Sequence, residues 1–182
     1  MMPPTRRTWA RRGHTPVVRV RGRSHRRFSI AALACYKHGE RSRLIFRPKR
    51  HERPKGAGRR SLTWSDYRDL LIPAHQQLGG PIVLVWDNLN VHKDARLRAF
   101  IGRRDWITCY YLPPYAPDLN LVEGIWSLLR RSCQANTAFA DPDHLLGTLR
   151  RGLGQLQYRS DLIDSCLAAT GLERTTTHRQ GQ

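Results

Sequence analysis

Asp87 and Glu123 are the residues of this chain whose type and setting could do chemistry. Asp87 closes the apolar run PIVLVWDN, and Glu123 lies in the first turn of an amphipathic stretch that begins at Leu121. On neighbouring elements, two such carboxylates could meet at one edge of a sheet. Carboxylate oxygens suit a hard divalent cation such as Mg2+, which keeps positions open for water and phosphate. Such an ion activates a water and stabilises a leaving oxygen, the chemistry of phosphodiester cleavage. Structural roles are open to each residue as well. Asp87 could cap a turn, and Asn120 with Glu123 three residues on is a variant of the capping box. Spacing alone does not decide between these readings.

The elements that must position the pair are legible in the periodicity. PIVLVWDN is an unbroken apolar run, as expected of a strand covered on both faces, and it puts Asp87 at the strand's C-terminal end. Val91 to Arg103 reads as a helix, Trp106 to Leu112 as a second strand, and Val122, Ile125, Trp126 and Leu129 as one helix face. Upstream, Val18 and Val20 alternate with Arg19 and Arg21, and Phe28 to Tyr36 reads as a buried strand, so a hairpin is predicted there. Ser42 to Arg47 is a candidate third strand, and the following PKRHERPKGAGRRS reads as a loop. Trp64, Tyr67, Leu70, Leu71, Ala74 and Leu78 recur at helical spacing between Thr63 and Leu78, and Gly79, Gly80 and Pro81 stop that helix. Two more helices are predicted over Asp143 to Gln157 and Asp161 to Ala169, before a disordered tail. Antiparallel strands followed by strand, helix, strand, helix give a mixed α/β sheet with a parallel section. Chemistry in such sheets collects at the carboxyl ends of the strands, where Asp87 lies.

Composition narrows the partner. The chain of 182 residues carries a formal charge of +18, and its distribution is uneven. Residues 1–60 hold 19 Lys/Arg against Glu40 and Glu52, a balance of +17, whereas residues 61–182 hold 13 against 12. A basic half joined to a nearly neutral half suits a protein that neutralises a polyanion over one face, with nucleic acid the leading partner. A solvated basic arm is the alternative for residues 1–12 and 47–60. No apolar run approaches the length of a membrane span, and the N-terminus lacks the apolar segment of a signal peptide, so a cytoplasmic, nucleoid-associated protein without membrane contact is expected. Cys35, Cys109, Cys133 and Cys166 form no CxxC pair and no zinc-ligand cluster.

WDNLNVHKD followed by LPPYAPDLNLVEGIWSLLRR resembles the last two motif blocks of mariner-type DDE transposases of bacterial insertion sequences. The match runs through Asp87, Asn88, His92, Pro117, Asp118, Leu119, Asn120, Glu123 and Trp126, and departs at Leu121, where the family usually has Pro. RTWARRGHTPVVRVRG is similar to the segment that follows the family's first catalytic strand, so the resemblance covers roughly residues 5–150. It implies an α/β fold of ribonuclease H-like (retroviral integrase-like) type, a mixed sheet flanked by helices, with three catalytic carboxylates, the first on the central strand. Residues 1–39 contain no Asp or Glu, so that first central strand is expected to be missing, its counterpart falling before Met1. The organisation then reads as a basic segment at 1–15, an endonuclease domain incomplete at its start at 16–170, and a tail at 171–182. The chain is expected to be a truncated or separately started part of a longer transposase, with two sheet edges left open.

By resemblance, Asp87 and Glu123 would ligate Mg2+ or Mn2+ and catalyse DNA strand cleavage and strand transfer on transposon ends and target. Asn88 and Asn120 would hold those carboxylates by hydrogen bonds. His92 would contact DNA or orient the site, or would only make a local hydrogen bond at a helix start. Arg19, Arg21, Arg130 and Arg131 are the candidate DNA contacts, with solvated surface charge the alternative for the last two. Trp126 is expected in the core, and at least one of Tyr110, Tyr111 and Tyr115 is expected to be buried by strand alternation. Two functions follow: a polynucleotidyl transferase, or a catalytically inactive DNA-binding remnant, because one metal ligand is absent. A homodimer is left open.

Overall fold

The computed structural model describes residues 9–15, 17, 27–51, 61–137, 139 and 141–172. The strand expected at Val18 and Val20, with Arg19 and Arg21, and the tail from 173 onward lie outside the described residues.

The first hairpin pairs β1 (Arg27–Cys35) with β2 (Arg43–His51) in antiparallel register, with Ala31 opposite Arg47 and Cys35 opposite Arg43. β2 runs four residues beyond the predicted strand, into the stretch read as a loop. Pro48 has no N–H to give to a further strand, so it sits well in an edge strand such as β2. Alternation then assigns the faces. Phe28, Ile30, Ala32, Leu44 and Phe46 pack on one side against the last three helices, α3 (Leu121–Leu129), α4 (Pro142–Gln157) and α5 (Ser160–Ala168). Ala31, Leu33, Cys35 and Ile45 pack on the other against α1 (Trp64–Leu78).

The second sheet is a parallel pair, β3 (Ile82–Trp86) beside β4 (Ile107–Tyr111), connected through α2 (Ala95–Gly102). Leu84, Trp86 and Ile107 bury one face against Leu71 of α1 and Leu97, Phe100 and Ile101 of α2. The opposite face was expected to be covered. It is open among the described residues, with Val83 69% and Val85 55% exposed and Tyr110 58% exposed beside them. β3 is therefore a one-faced strand whose apolar run continues onto its uncovered side. No strand among the described residues joins β1 to β3; α1 lies between the two sheets, and its Tyr67, like Leu33 of the hairpin, packs against the core clusters of both.

That helix is secured at both ends and in the middle. Thr63 caps its start, with the Asp66 carboxylate accepting from the Thr63 N–H (2.7 Å) and hydroxyl (2.7 Å). Gly79 ends it at φ 63°, a left-handed conformation that costs glycine least, donating its N–H to the His75 carbonyl. Pro73 lies inside the helix and cannot donate to the Asp69 carbonyl one turn back. Arg47 of β2 donates to that carbonyl at 3.2 Å instead. Lys49, next along the same strand face, bonds both oxygens of buried Asp66 at 2.9 and 2.6 Å. Burial raises the Asp66 carboxyl, but the bonds from Lys49 and Thr63 outweigh it and hold the group below its ordinary value of 3.8.

Asp66→Asn should therefore cost roughly 2 kcal/mol at neutral pH, after discounting for the partial exposure of Lys49. A carboxylate depressed in the folded state stabilises above its unfolded value and loses that contribution as pH falls through the folded one. Urea unfolding at about pH 7 and about pH 2 should show the gap between wild type and variant closing in acid.

Candidate active site

β3 ends abruptly, and the residues after Trp86 turn back beneath it. Leu112 donates to the Trp86 carbonyl at 2.8 Å, carrying the β3–β4 pairing one step further, and the Asn88 side-chain amide donates to the Leu112 carbonyl. Asn88 therefore fastens the loop after β4 to the loop after β3, and makes no bond to the Asp87 carboxylate. Asp87 projects from this junction with its side chain 44% exposed.

Three groups orient its carboxylate. Oδ1 accepts from the Leu89 N–H at 3.1 Å, so the turn-capping role is real, and the same oxygen lies 2.9 Å from His92 Nδ1. Oδ2 faces the Asn120 side-chain amide at 3.4 Å. His92 is buried, 7% exposed, and sandwiched by aromatic rings. Its imidazole stacks on the Trp86 indole at 4.3 Å and 4° between planes, and the Tyr67 ring meets it edge-on at 4.7 Å. Tyr111 donates its hydroxyl to the His92 carbonyl at 3.0 Å. Burial pushes the imidazole below the ordinary histidine value of 6.5, only partly offset by Asp87. At neutral pH the ring is uncharged, and a proton on Nδ1 is donated to Asp87. Burial and the charges of Asp87 and Asp66 push the Tyr67 phenol up to about 12, so it too stays protonated.

Asn120 is the hinge between the two candidate carboxylates. Its side-chain oxygen caps α3 by accepting from the Val122 N–H at 3.3 Å, and its amide nitrogen reaches Asp87. Glu123 follows one turn into that helix. The alternative capping-box role for Glu123 is not taken: the Asn120 N–H goes to the Pro117 carbonyl at 2.9 Å. Glu123 is exposed and has no side-chain hydrogen bond or ion pair among the described residues. Two carboxylates with oxygens open to solvent suit Mg2+ or Mn2+, which are commonly held by one or two carboxylates while water and phosphate complete the shell. No group of three or more His, Cys, Asp or Glu is assembled for a metal among the described residues.

The other predicted residues fall in two classes. Arg130 and Arg131 are exposed in the π-helical turn Arg130–Gln134 that continues α3, about two turns beyond Glu123. Trp126 packs against the core cluster of Ile125 and Leu129, as expected. Among the tyrosines the expectation fails: Tyr110, Tyr111 and Tyr115 are 58%, 39% and 103% exposed, because one face of β4 is uncovered and Tyr115 stands on a loop. Much of the basic charge of β2 is spent internally, with Arg43 on Glu40, Arg47 on Asp69, Lys49 on Asp66 and Arg50 on Asp143. Sequence reasoning missed Tyr67, Trp86 and Tyr111 as braces of His92. Tyr67 carried only a helix-face signal, and its contact closes through tertiary packing; WDN followed by His92 was the one local hint.

A family model described as DDE superfamily endonuclease matches residues 2–146. An uncharacterized protein, y4pE/y4sA, of Sinorhizobium fredii is 34% identical over 68 residues, 37% of this chain and 47% of that protein. Among solved structures, the Mos1 mariner paired end complex with Mn aligns with a TM-score of 0.50 at 16% identity, over 96% of this chain and 53% of that one. The Mos1 Strand Transfer Complex aligns at 0.44 and 13% identity, over 96% and 52%. The paired-end likeness shows the ribonuclease H-like fold. The chain spans about half the length of the proteins it matches.

The stacking of His92 makes a stability prediction. His92→Phe keeps a ring between Trp86 and Tyr67 and should cost about 1 kcal/mol for the lost bond to Asp87. His92→Ala also empties the slot and should cost about 3 kcal/mol. Chemical denaturation of the two variants should separate them in that order.

Proposed function

This chain belongs to the DDE superfamily endonuclease family, and we propose that it is the catalytic portion of a transposase, with Asp87 and Glu123 as two of its metal-binding carboxylates. The observation that carries the reading is Asn120, which caps the helix of Glu123 with one end of its amide and bonds Asp87 with the other.

Asp87 and Glu123 would hold Mg2+ or Mn2+. When bound, the ion supplies polarisation of the scissile phosphate and lowers the pKa of an attacking water. The chain's own residues orient and hold. Neutral His92 and the Leu89 N–H fix one oxygen of Asp87, and Asn120 fixes the other, so the carboxylate is preorganised. Asn88 keeps the β3 and β4 loops at one spacing. Arg130 and Arg131, exposed beyond Glu123, would grip DNA phosphates, as would Arg19 and Arg21 upstream. The reaction would be hydrolytic strand cleavage at a transposon end, followed by in-line attack of the freed 3′-hydroxyl on target DNA. We take the endonuclease unit to span residues 16–170.

One observation favours a second reading, a DNA-binding remnant without activity: no third carboxylate joins Asp87 and Glu123 among the described residues. Nicking of supercoiled plasmid separates the two. The catalytic reading expects nicking that requires Mg2+ or Mn2+, is abolished by EDTA, and falls at least about 100-fold in Asp87→Ala and Glu123→Ala. DNA binding without nicking at any metal concentration would establish the remnant.

A further inference from the structure

The loop Pro113-Pro114-Tyr115-Ala116-Pro117 carries an aromatic residue in a conformation that needs explaining. Tyr115 has φ 59°, in the left-handed region that bulky L-residues avoid, and its side chain is 103% exposed. Neither the ring nor the hydroxyl of Tyr115 makes a contact among the described residues that would offset the strain. The strain is imposed by the loop's surroundings. On one side Leu112 is tied to Trp86 and Asn88. On the other, Leu119 donates to the Ala116 carbonyl at 3.2 Å and Asn120 donates to Pro117 while its side chain reaches Asp87. Three prolines restrict the backbone between these anchors. The backbone under Tyr115 is thus tied on both sides, and its ring is fully wetted, five residues from the amide that bonds Asp87. Backbone strain of this kind concentrates at positions that meet a ligand.

We infer that Tyr115 is a stacking platform for a nucleobase of unpaired DNA beside the scissile phosphate. This rests on the transposase reading above. A base offers a π-face irrespective of its identity, so an exposed aromatic ring can stack on it without reading sequence. Tyr115 lies in the loop that leads from β4 to the Glu123 helix, the same connection that carries Asn120 to Asp87.

Glycine provides the test, because it adopts φ 59° without steric strain and removes the ring, while the unfolding measurement reports any loosening of the loop. The full chain, Tyr115→Phe and Tyr115→Gly are compared for binding to a single-stranded oligonucleotide of about 20 nucleotides carrying 2-aminopurine. Thermal unfolding and sedimentation are measured on the same samples. Tyr115→Phe should bind within about twofold of wild type and quench the 2-aminopurine equally. Tyr115→Gly should be at least as stable as wild type, yet bind about tenfold more weakly and quench little. Unchanged affinity and quenching in Tyr115→Gly would overturn the stacking role and leave the transposase reading standing. A change in sedimentation with DNA binding intact would also overturn it, assigning the ring to a protein contact. If the wild-type chain binds neither this oligonucleotide nor duplex DNA, the transposase reading fails and this inference with it.

Discussion

The stack of His92 on Trp86 is the contact on which the site depends. Trp86 is the last residue of β3, and its indole is buried by α1 and α2; His92 comes from the turn that follows. Parallel rings at 4.3 Å fold that turn back under the strand end, and the imidazole can then meet Asp87. Tyr67 closes the stack from α1, and Tyr111 holds the His92 backbone from β4. Core, sheet and turn converge on one ring, and the ring holds one oxygen of an exposed carboxylate. A carboxylate on a loop acquires the rigidity of the core in this way.

The same logic explains the placing of α1. Among the described residues the two sheets share no strand pair, and side chains of this helix pack in the core clusters of both. Its interior proline would be a weak point in isolation. Arg47 and Lys49 convert it into a docking site, one satisfying the carbonyl that Pro73 leaves open and the other pairing with the cap carboxylate. Basic residues that composition alone assigns to a polyanion thus turn out to hold the fold.

Local signals carried most of the elements. The period of 3.6 in α1 and α3, the Gly79 stop and the apolar run ending at Asp87 were all visible, because each depends on neighbours a few residues away. Asp87 and Glu123 were visible through their motif blocks. The extension of β2 through Pro48 to His51 was not, because an edge strand tolerates residues that read as loop. Nor was the open face of β3: Val83 and Val85 spell a buried strand, and only tertiary structure says what covers them. The aromatic brace was hidden for the same reason. Tyr67, Trp86 and Tyr111 are core residues by composition and become part of the site only through distant packing.

On the proposed reading Asp87 and Glu123 act as one metal site joined through Asn120. Mn2+ binding followed by electron paramagnetic resonance tests it directly, with wild type, Asp87→Asn, Glu123→Gln and the double variant compared in the absence of DNA. A shared site predicts that either single change weakens Mn2+ at least about tenfold and that the double variant loses little more, since the two act on the same ion. Mn2+ affinity unchanged by either substitution would contradict the account.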